Sequence, residues 1–300
     1  MTEQNEYFIY AIRHNGLTHP IVPTIHYNVD LFDDIFLLRI KELCKKCDVL
    51  ATEHSVLYNW QPKYIRNMDD RKNAAKEKQK QKQKETLDNI NIGKETECVI
   101  KDETENIHNL EIQTQFIKTY PKVSRYFIND ILDTEKFNSP KRTLDTFMEI
   151  AFNRREKYFL DTTNKELYIK TEKLDADDDI NCNKMNNLQS EQSKYLLHMI
   201  TTYKYYMNVI ETGDYSKKWW LNLSTKYDFN DKTTRDYNYT LIDERNISWA
   251  KAIRKKILSR HNTKTYIIAV GLAHIIDSPI TGNNLIKILE EDFEIVIIKI

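Results

Sequence analysis

The sequence has very little glycine. Its 300 residues include only 5 glycines, at positions 16, 93, 213, 271 and 282. No two of them have the spacing of a dinucleotide-binding motif, a P-loop or a nucleophile elbow. The sequence therefore gives no indication of a Rossmann dinucleotide site, a phosphate-binding loop or an elbow-type serine nucleophile.

Long apolar segments are also missing. No run approaches the roughly 18 residues needed to span a bilayer, and residues 1–6 are polar and acidic where a signal peptide is basic and then apolar. The 4 cysteines are too few for a disulfide scaffold. These features predict a protein with no integral membrane segment in a reducing, cytoplasmic setting. Secretion by a route without a signal peptide stays open.

The chain has no excess charge of either sign, with 45 basic and 45 acidic residues. No overall electrostatic field would attract nucleic acid or anionic lipid, so neither is an expected partner. Hydrophobic residues make up 40% of the sequence, and a chain of this length can bury a sizeable core without disulfides. The oligomeric state cannot be read from these properties.

The amino-terminal part has the pattern of a parallel crossover unit. The predicted elements are strands at 6–12 and 21–26, a helix at 29–44 and a buried strand at 48–52. Asp30 is the expected cap of this helix, and the last strand stops at Glu53. Two strands joined through a helix favour parallel pairing, with helices on the faces of the sheet.

The carboxyl-terminal part repeats this plan. The predicted elements are a helix capped by Asp243, a strand at 265–270, a short helix at 282–289 and a final strand at 294–300. Trp249, Ile253 and Ile257 form the apolar stripe of the first of these helices. Both ends of the chain therefore predict an α/β fold with one central mixed sheet.

The middle of the chain, about 61–234, predicts a large and mainly helical insertion that covers the site. Residues 71–105 carry a block of basic residues followed by a block of acidic ones, which is typical of a solvated loop. Apolar residues between 195 and 210 indicate an amphipathic helix that Gly213 can end. We therefore expect a single domain over 1–300, with its core at 1–60 and 235–300.

Three polar side chains fall where predicted strands end. His26 and His274 each close a four-residue turn, Pro23-Thr24-Ile25-His26 and Gly271-Leu272-Ala273-His274, and Glu53 ends a third strand. Ligands collect at the carboxyl ends of strands in open α/β sheets. Two imidazoles and a carboxylate can hold a divalent metal with open positions. The alternative is that each histidine only packs or hydrogen-bonds locally.

Arg245 and Asn246 begin the helical stripe that contains Trp249. A guanidinium on a buried helix face can bind a carboxylate or a developing oxyanion. Alternatively, Arg245 reaches past the tryptophan to water. Asn246 is expected to orient a ligand or to cap a backbone group.

Weaker motifs are present as well. Cys44 and Cys47 have the spacing of half a zinc site, although no second cysteine pair completes it. His14, His19 and His54 lie near the first histidine turn and are reserve metal ligands.

Segments at both ends resemble the TraB/PrgY/GumN family, which includes the TIKI metalloproteases. The carboxyl-terminal resemblance lies in Asp243-Glu244-Arg245-Asn246-Ile247-Ser248-Trp249-Ala250 and in Ile267-Ile268-Ala269-Val270-Gly271-Leu272-Ala273-His274. At the amino terminus, Pro23-Thr24-Ile25-His26 lies where the family has its first Gly-x-x-His, and Ala51-Thr52-Glu53 matches the strand with its acidic residue. The resemblance covers about 7–55 and 195–300.

The resemblance implies a Tiki-type fold, related in outline to erythromycin esterases and ChaN-like haem-binding proteins. It implies that His26 and His274 are metal ligands or catalytic histidines and that Glu53 is a ligand or a general base. Arg245 and Asn246 would give polar support in the same pocket. Pro23 departs from the family because it replaces the first glycine, and proline cannot adopt a positive φ.

Three functions remain open at this point. The first is a metal-dependent hydrolase that cleaves a peptide or other acyl bond, with a divalent ion such as manganese, cobalt or zinc. The second is a non-catalytic relative that sequesters a peptide or signal molecule, which Pro23 favours. The third is a metal-free, esterase-like hydrolase in which a histidine activates water beside Glu53.

Overall fold

The described residues form one mixed α/β unit built from both ends of the chain. The computed structural model describes residues 6–25, 29–53, 143–152, 155–171, 189–216, 232–257, 259 and 261–300. Within these ranges the strands are β1 (Phe8–His14), β2 (Leu17–Thr24), β3 (Val49–Thr52), β4 (Glu156–Phe159), β5 (Tyr266–Gly271) and β6 (Glu294–Lys299). The expected mixed sheet from both termini is confirmed in these ranges.

The described strands form a six-stranded sheet in the order β4-β3-β5-β2-β1-β6. The neighbours β4 and β3, β3 and β5, and β5 and β2 are parallel. β1 is antiparallel to both β2 and β6. The carboxyl ends of β2, β3, β4 and β5 therefore meet at one edge of the sheet, which we call the carboxyl edge.

A two-residue turn joins β1 and β2 into a hairpin. Asn15 has a φ of 50° and Gly16 a φ of 76°, so both central residues are left-handed. This is the type I′ geometry that suits the twist of a hairpin, and Asn-Gly is its favoured sequence. The turn sets the register in which Ala11 lies opposite Pro20.

Helices pack around this sheet. The described helices include α1 (Asp34–Lys46), α2 (Leu144–Phe152), α3 (Gln189–Thr212), α4 (Lys232–Asn238), α5 (Arg245–Ala252) and α6 (Leu285–Glu290). α2 contacts β3, α3 contacts β1, and α6 contacts both α5 and β6. In the part of the chain that the structure describes, no helix is long and apolar enough to cross a membrane.

Two predicted helix starts are wrong. α1 is capped by Asp33, whose carboxylate accepts from the backbone N–H of Ile35, and Asp30 lies in a preceding 3-10 turn. Asp243 is not a cap, because the helical run begins earlier, at Lys232, and passes through it. The apolar stripe correctly predicted a helix at these residues. It carried no information about the polar residues before the stripe, which are also helical.

That long helical run contains two π-helical segments. π-helical segments at Tyr239–Glu244 and Ile253–Ile257 lie on either side of α5. Each π-helical turn shifts the residues that follow it around the helix axis, and such segments often occur at functional sites. Arg245 is therefore in the middle of a helical run rather than at its start.

The middle of the chain contributes a strand to the sheet as well as helices. β4 comes from the segment predicted to be mainly helical, and it pairs with β3 at one side of the sheet. The predicted amphipathic helix is confirmed as α3, and Gly213 ends it with a φ of 70°. A side chain at Gly213 would also press on Phe8, whose Cβ would lie 3.1 Å from an added Cβ.

The core is continuous across the central strands. Every residue of β3 is buried, and so is β5 from Tyr266 to Val270. An unbroken buried strand indicates cover on both faces of the sheet. Two tyrosine hydroxyls of α3 also donate hydrogen bonds to the backbone of the amino-terminal part of the chain. Tyr203 donates to the carbonyl of Leu31, and Tyr206 donates to the carbonyl of Pro23.

Pro23 occupies a position that does not need glycine. It lies in extended β2, opposite Val270 of β5, and no positive φ is recorded there. The pairing of β2 with β1 ends at Ile21, so Pro23 lies beyond that ladder, and its carbonyl oxygen accepts from Tyr206 at 2.9 Å. Proline is tolerated in a strand where its missing N–H has no partner to bond.

His19 is a structural residue of the opposite edge of the sheet. Its side chain is 1% exposed, and its Nδ1 accepts from the backbone N–H of Tyr266 at 3.1 Å. Burial, with a smaller contribution from His14 nearby, lowers the pKa of His19 to about 4. His19 lies near the amino end of β2, away from the carboxyl edge, so it does not serve as a reserve ligand there.

Because folding lowers the pKa of His19, we expect the stability of the folded protein to depend on pH. The unfolded chain takes up a proton near pH 6.5 but the folded chain only near pH 4, so acidification favours unfolding in this window. We expect the unfolding free energy to fall by about 2 kcal/mol between pH 7 and pH 4.5 through this residue. His19→Asn keeps a hydrogen-bond acceptor but cannot titrate, so urea denaturation should show a smaller fall. Equal falls in both proteins would contradict the assignment.

Candidate functional site

Two acidic residues follow neighbouring strands at the carboxyl edge. Glu53 comes directly after β3, and Asp161 comes two residues after β4. The ladder continues past both strands, because the N–H of Asp161 donates to the carbonyl of Glu53 at 2.9 Å. Both side chains are buried, at 7% and 6% exposure. The sheet therefore holds two carboxylates side by side.

Arg245 of α5 lies between these carboxylates. Its Nη2 donates to Glu53 Oε2 at 2.8 Å and to Asp161 Oδ2 at 3.0 Å, and its Nε donates to Asp161 Oδ1 at 3.2 Å. Burial by itself would lower the pKa of the guanidinium, but Glu53 and Asp161 overcome this and raise it above its ordinary value. The three side chains form a cluster with one excess negative charge.

Trp249 forms a wall of this cluster. It is 1% exposed, and its indole N–H donates to Asp161 Oδ1 at 3.0 Å. The guanidinium carbon of Arg245 lies 4.4 Å from the centre of the Trp249 ring. The ring of His274 lies on the same indole, with the centroids 4.3 Å apart. One aromatic side chain therefore positions a cation, a carboxylate and an imidazole.

His274 closes the turn that follows β5, as the sequence predicts. Its Nδ1 lies 2.8 Å from Asn246 Oδ1, and the side chain is 4% exposed. Because an amide oxygen only accepts, Nδ1 carries the proton and the neutral ring has its lone pair at Nε2. Nε2 lies 3.5 Å from Arg245 Nη1 and 4.0 Å from Glu53 Oε1. The base nitrogen therefore faces the charged cluster.

Gly271 allows Glu53 to approach the backbone. The N–H of Gly271 donates to Glu53 Oε1 at 2.5 Å. A Cβ at this position would lie 3.0 Å from the same oxygen and 3.6 Å from His274 Cδ2. The backbone of Gly271 has a φ of −55° and a ψ of 141°, so its role is close approach rather than a left-handed conformation.

Asp243 anchors the loop beyond His274 to the helical run. It is 4% exposed and accepts from the hydroxyls of Ser278, at 2.8 Å, and Thr281. Burial raises the pKa of Asp243, although these two hydrogen bonds oppose the rise. The loop that carries His274 is thereby fixed to the helix that carries Arg245.

The structure brings together four of the residues predicted for the site: Glu53, Arg245, Asn246 and His274. His26, the fifth, lies outside the described residues, as does His54. Asp161 and Trp249 were not predicted as site residues. The signal for Asp161 was present, because the run Tyr158-Phe159-Leu160-Asp161 ends a short aromatic strand in an acid, just as Leu50-Ala51-Thr52-Glu53 does.

The described donors do not fit a divalent cation. Both oxygens of Glu53 already accept, from Arg245 and from the N–H of Gly271, and His274 Nε2 faces a guanidinium nitrogen. Within the described ranges, no group of three or more His, Cys, Asp or Glu side chains is arranged to hold a metal. The three-ligand site with His26 stays a prediction.

Cys44 and Cys47 are buried free thiols at the end of α1. Burial raises the pKa of Cys44 to about 12 and that of Cys47 to about 11. Thiolates, which bind zinc, are therefore disfavoured at both residues. Arg155 donates to both of their carbonyl oxygens and so ties this helix end to the residues before β4.

The arrangement can perform acid–base chemistry on a polar bond. It places a neutral imidazole with a defined tautomer beside a guanidinium whose Nη1 bonds neither carboxylate. Nη1 lies 3.5 Å from His274 Nε2, so a base and a cationic donor, the two groups that acyl transfer to water requires, lie side by side. Comparisons with protein-family models, curated proteins and solved structures find no significant match for this chain. The resemblance to the TraB/PrgY/GumN family stays a prediction.

Arg245 is expected to contribute more to stability than either carboxylate. Arg245→Met leaves two buried carboxylates without a counter-charge and should cost about 3–5 kcal/mol. Glu53→Gln leaves one carboxylate with the guanidinium, a neutral pair, and should cost about 1–2 kcal/mol. Urea denaturation of the two variants measures the difference, and equal costs would contradict this account of the cluster.

Gly271→Ala tests the close approach of Glu53. Alanine adopts the backbone angles of Gly271 without strain, so the cost arises from the added methyl group and should be about 1–2 kcal/mol. In a Glu53→Ala background the methyl group meets no carboxylate, and the cost should largely disappear. A double-mutant cycle by urea denaturation measures this coupling. Equal costs in both backgrounds would place the strain elsewhere.

Proposed function

We propose that this protein is a hydrolase that cleaves a peptide or other acyl bond with water activated by His274. The observation that supports the proposal most is the position of His274 Nε2, which lies 3.5 Å from Arg245 Nη1 and 4.0 Å from Glu53 Oε1. A general base, a cationic donor and an acid thus share one buried point at the carboxyl edge.

In the first step, His274 Nε2 removes a proton from a water molecule as the water oxygen attacks the substrate carbonyl carbon. Asn246 keeps the other ring proton on Nδ1, which leaves Nε2 as the base. The imidazolium that forms is stabilised by the carboxylate of Glu53. Trp249 restricts the orientation of the ring.

Arg245 stabilises the charge that develops on the substrate oxygen. Its Nη2 and Nε are held by the two carboxylates, so the direction of Nη1 is set before the substrate arrives. A preorganised donor of this kind gains most in a site from which water is excluded. Asp161 therefore acts as a positioning residue for Arg245.

In the second step, the tetrahedral intermediate collapses. The carbon–oxygen or carbon–nitrogen bond to the leaving group breaks, and protonated His274 gives its proton to the departing atom. The products are a carboxylic acid and an alcohol or amine. The imidazole returns to its neutral form for the next cycle.

The other two hypotheses receive less support from the described residues. The metal-dependent form requires His26 and a rearrangement of the partners of Glu53. The non-catalytic form was favoured by Pro23, but that residue lies in an ordinary extended strand and its carbonyl oxygen accepts from Tyr206. We therefore propose the metal-free form of the hydrolase.

His274→Gln should lower kcat/KM for a hydrolysed substrate at least about 100-fold, because the general base is lost. A panel of p-nitrophenyl esters and fluorogenic peptides supplies substrates, and His14→Gln is a matched control because His14 lies on the distant hairpin. Chelator should leave the wild-type rate unchanged. A rate abolished by chelator would support the metal-dependent form instead, and a panel without turnover would contradict the proposal.

A further inference from the structure

The outer side of α1 carries exposed apolar side chains. Ile35 is 43% exposed and Leu38 is 55% exposed. The buried residues of this helix are Phe36, Ile40 and Cys44, which form its core side. Leu38 is two positions from both Phe36 and Ile40, a rotation of about 200° around the helix axis, so it points away from the core. Leu38 is therefore available for contact with another molecule.

A groove between α1 and α2 lies close to Leu38. Its volume is about 140 Å³, and the described residues that line it are Val29, Lys41, Phe147, Ile150 and Ala151. All of these except Lys41 are apolar, and Ile150 is itself 51% exposed. Lys41 follows Leu38 by three residues, so the two side chains are neighbours on the surface of α1. A cavity of about 150 Å³ can bind benzene, so this groove has room for one aliphatic side chain.

Two opposite charges lie on either side of Leu38 along α1. Asp34 and Lys41 are seven residues apart, which is close to two helical turns, so they project from the same side of the helix about 10 Å apart along its axis. Both are exposed, and neither forms an ion pair with another residue in the part of the chain that the structure describes. A partner that covers this face therefore needs an anion for Lys41 and a cation for Asp34.

A second copy of the same face supplies these charges. When two α1 helices pack antiparallel about a two-fold axis, Asp34 of each copy can lie against Lys41 of the other, because a two-fold axis repeats every contact. Parallel packing would instead place like charges together. Leu38 lies near the midpoint between Asp34 and Lys41, so the axis passes close to it. The Leu38 side chain of each copy is then directed toward the groove of the other.

We propose that this protein forms a homodimer through the face of α1 and α2 that contains Asp34, Ile35, Leu38, Lys41 and Ile150. Leu38 of each copy enters the groove of the other, and two ion pairs between Asp34 and Lys41 lie beside these contacts. Buried apolar area provides the affinity, while the ion pairs determine the relative orientation of the copies. The face is small, so the dissociation constant is expected in the micromolar range. The inference is independent of the proposed hydrolase activity.

The first experiment tests the apolar contact by sedimentation equilibrium of the full chain. Leu38→Glu places a carboxylate in an apolar groove and should raise the dimer dissociation constant at least about tenfold. Ile297→Glu is the matched control, because Ile297 is also exposed, at 46%, but lies on β6. The control should dimerise like the wild type, and circular dichroism verifies that both variants are folded.

Two outcomes of this experiment would overturn the proposal. One is a wild type that stays monomeric at concentrations up to about 1 mM. The other is a dimer that Ile297→Glu weakens as much as Leu38→Glu does, since this would place the contact at the sheet edge formed by β6.

The second experiment tests the ion pairs by exchanging their charges. Asp34→Lys and Lys41→Asp each place like charges together in a homodimer, so each should raise the dissociation constant at least about tenfold. An equimolar mixture of the two variants should form a heterodimer with nearly the wild-type dissociation constant, because both ion pairs are restored between the copies. Effects on folding within one chain cannot produce this recovery. A mixture that dimerises no better than the separate variants would overturn the antiparallel arrangement.

Discussion

The bonds of Arg245 to Glu53 and Asp161 are the interaction on which the candidate site depends. Burying charged groups is costly unless they are paired and hydrogen-bonded, and here three charged side chains satisfy one another at 2.8 to 3.2 Å. The pairing also joins three separate parts of the chain, namely the ends of β3 and β4 and the helix α5. Any movement of these elements relative to one another would leave a charge without its partner. The cluster therefore acts as a geometric constraint as well as a site.

A second set of contacts fixes the orientation of the side chains in this cluster. Trp249 contacts Arg245, Asp161 and His274, and it limits the rotation of all three. Asn246 lies next to Arg245 on the same helix and determines which nitrogen of His274 carries the proton. A helix can do this because its residues keep fixed angles to one another, so one element orients both the cation and the base. The chemistry that we propose requires these two groups to face the same point.

The structure brings predicted residues together where a short pattern carried the information. Glu53 and His274 were identified because each follows a buried strand, and the direction of parallel strands brings their ends together. Asp161 was missed because β4 is four residues long and lies in a segment where helical patterns dominate. The start of the helical run was also misplaced at Asp243, since a stripe of apolar residues does not report polar turns that precede it. His26 lies outside the described residues, so that prediction stays open.

The sequence by itself determined the α/β class, the strands at both termini and the polar residues that end them, because side-chain periodicity and strand-end residues are local properties. The tertiary structure decided that β5 lies between β2 and β3, which the sequence analysis had joined as a simple crossover unit. That insertion places Gly271 beside Glu53 and brings His274 to Arg245. Strand order depends on which buried surfaces fit together across more than 200 residues of chain, and no local pattern contains this information.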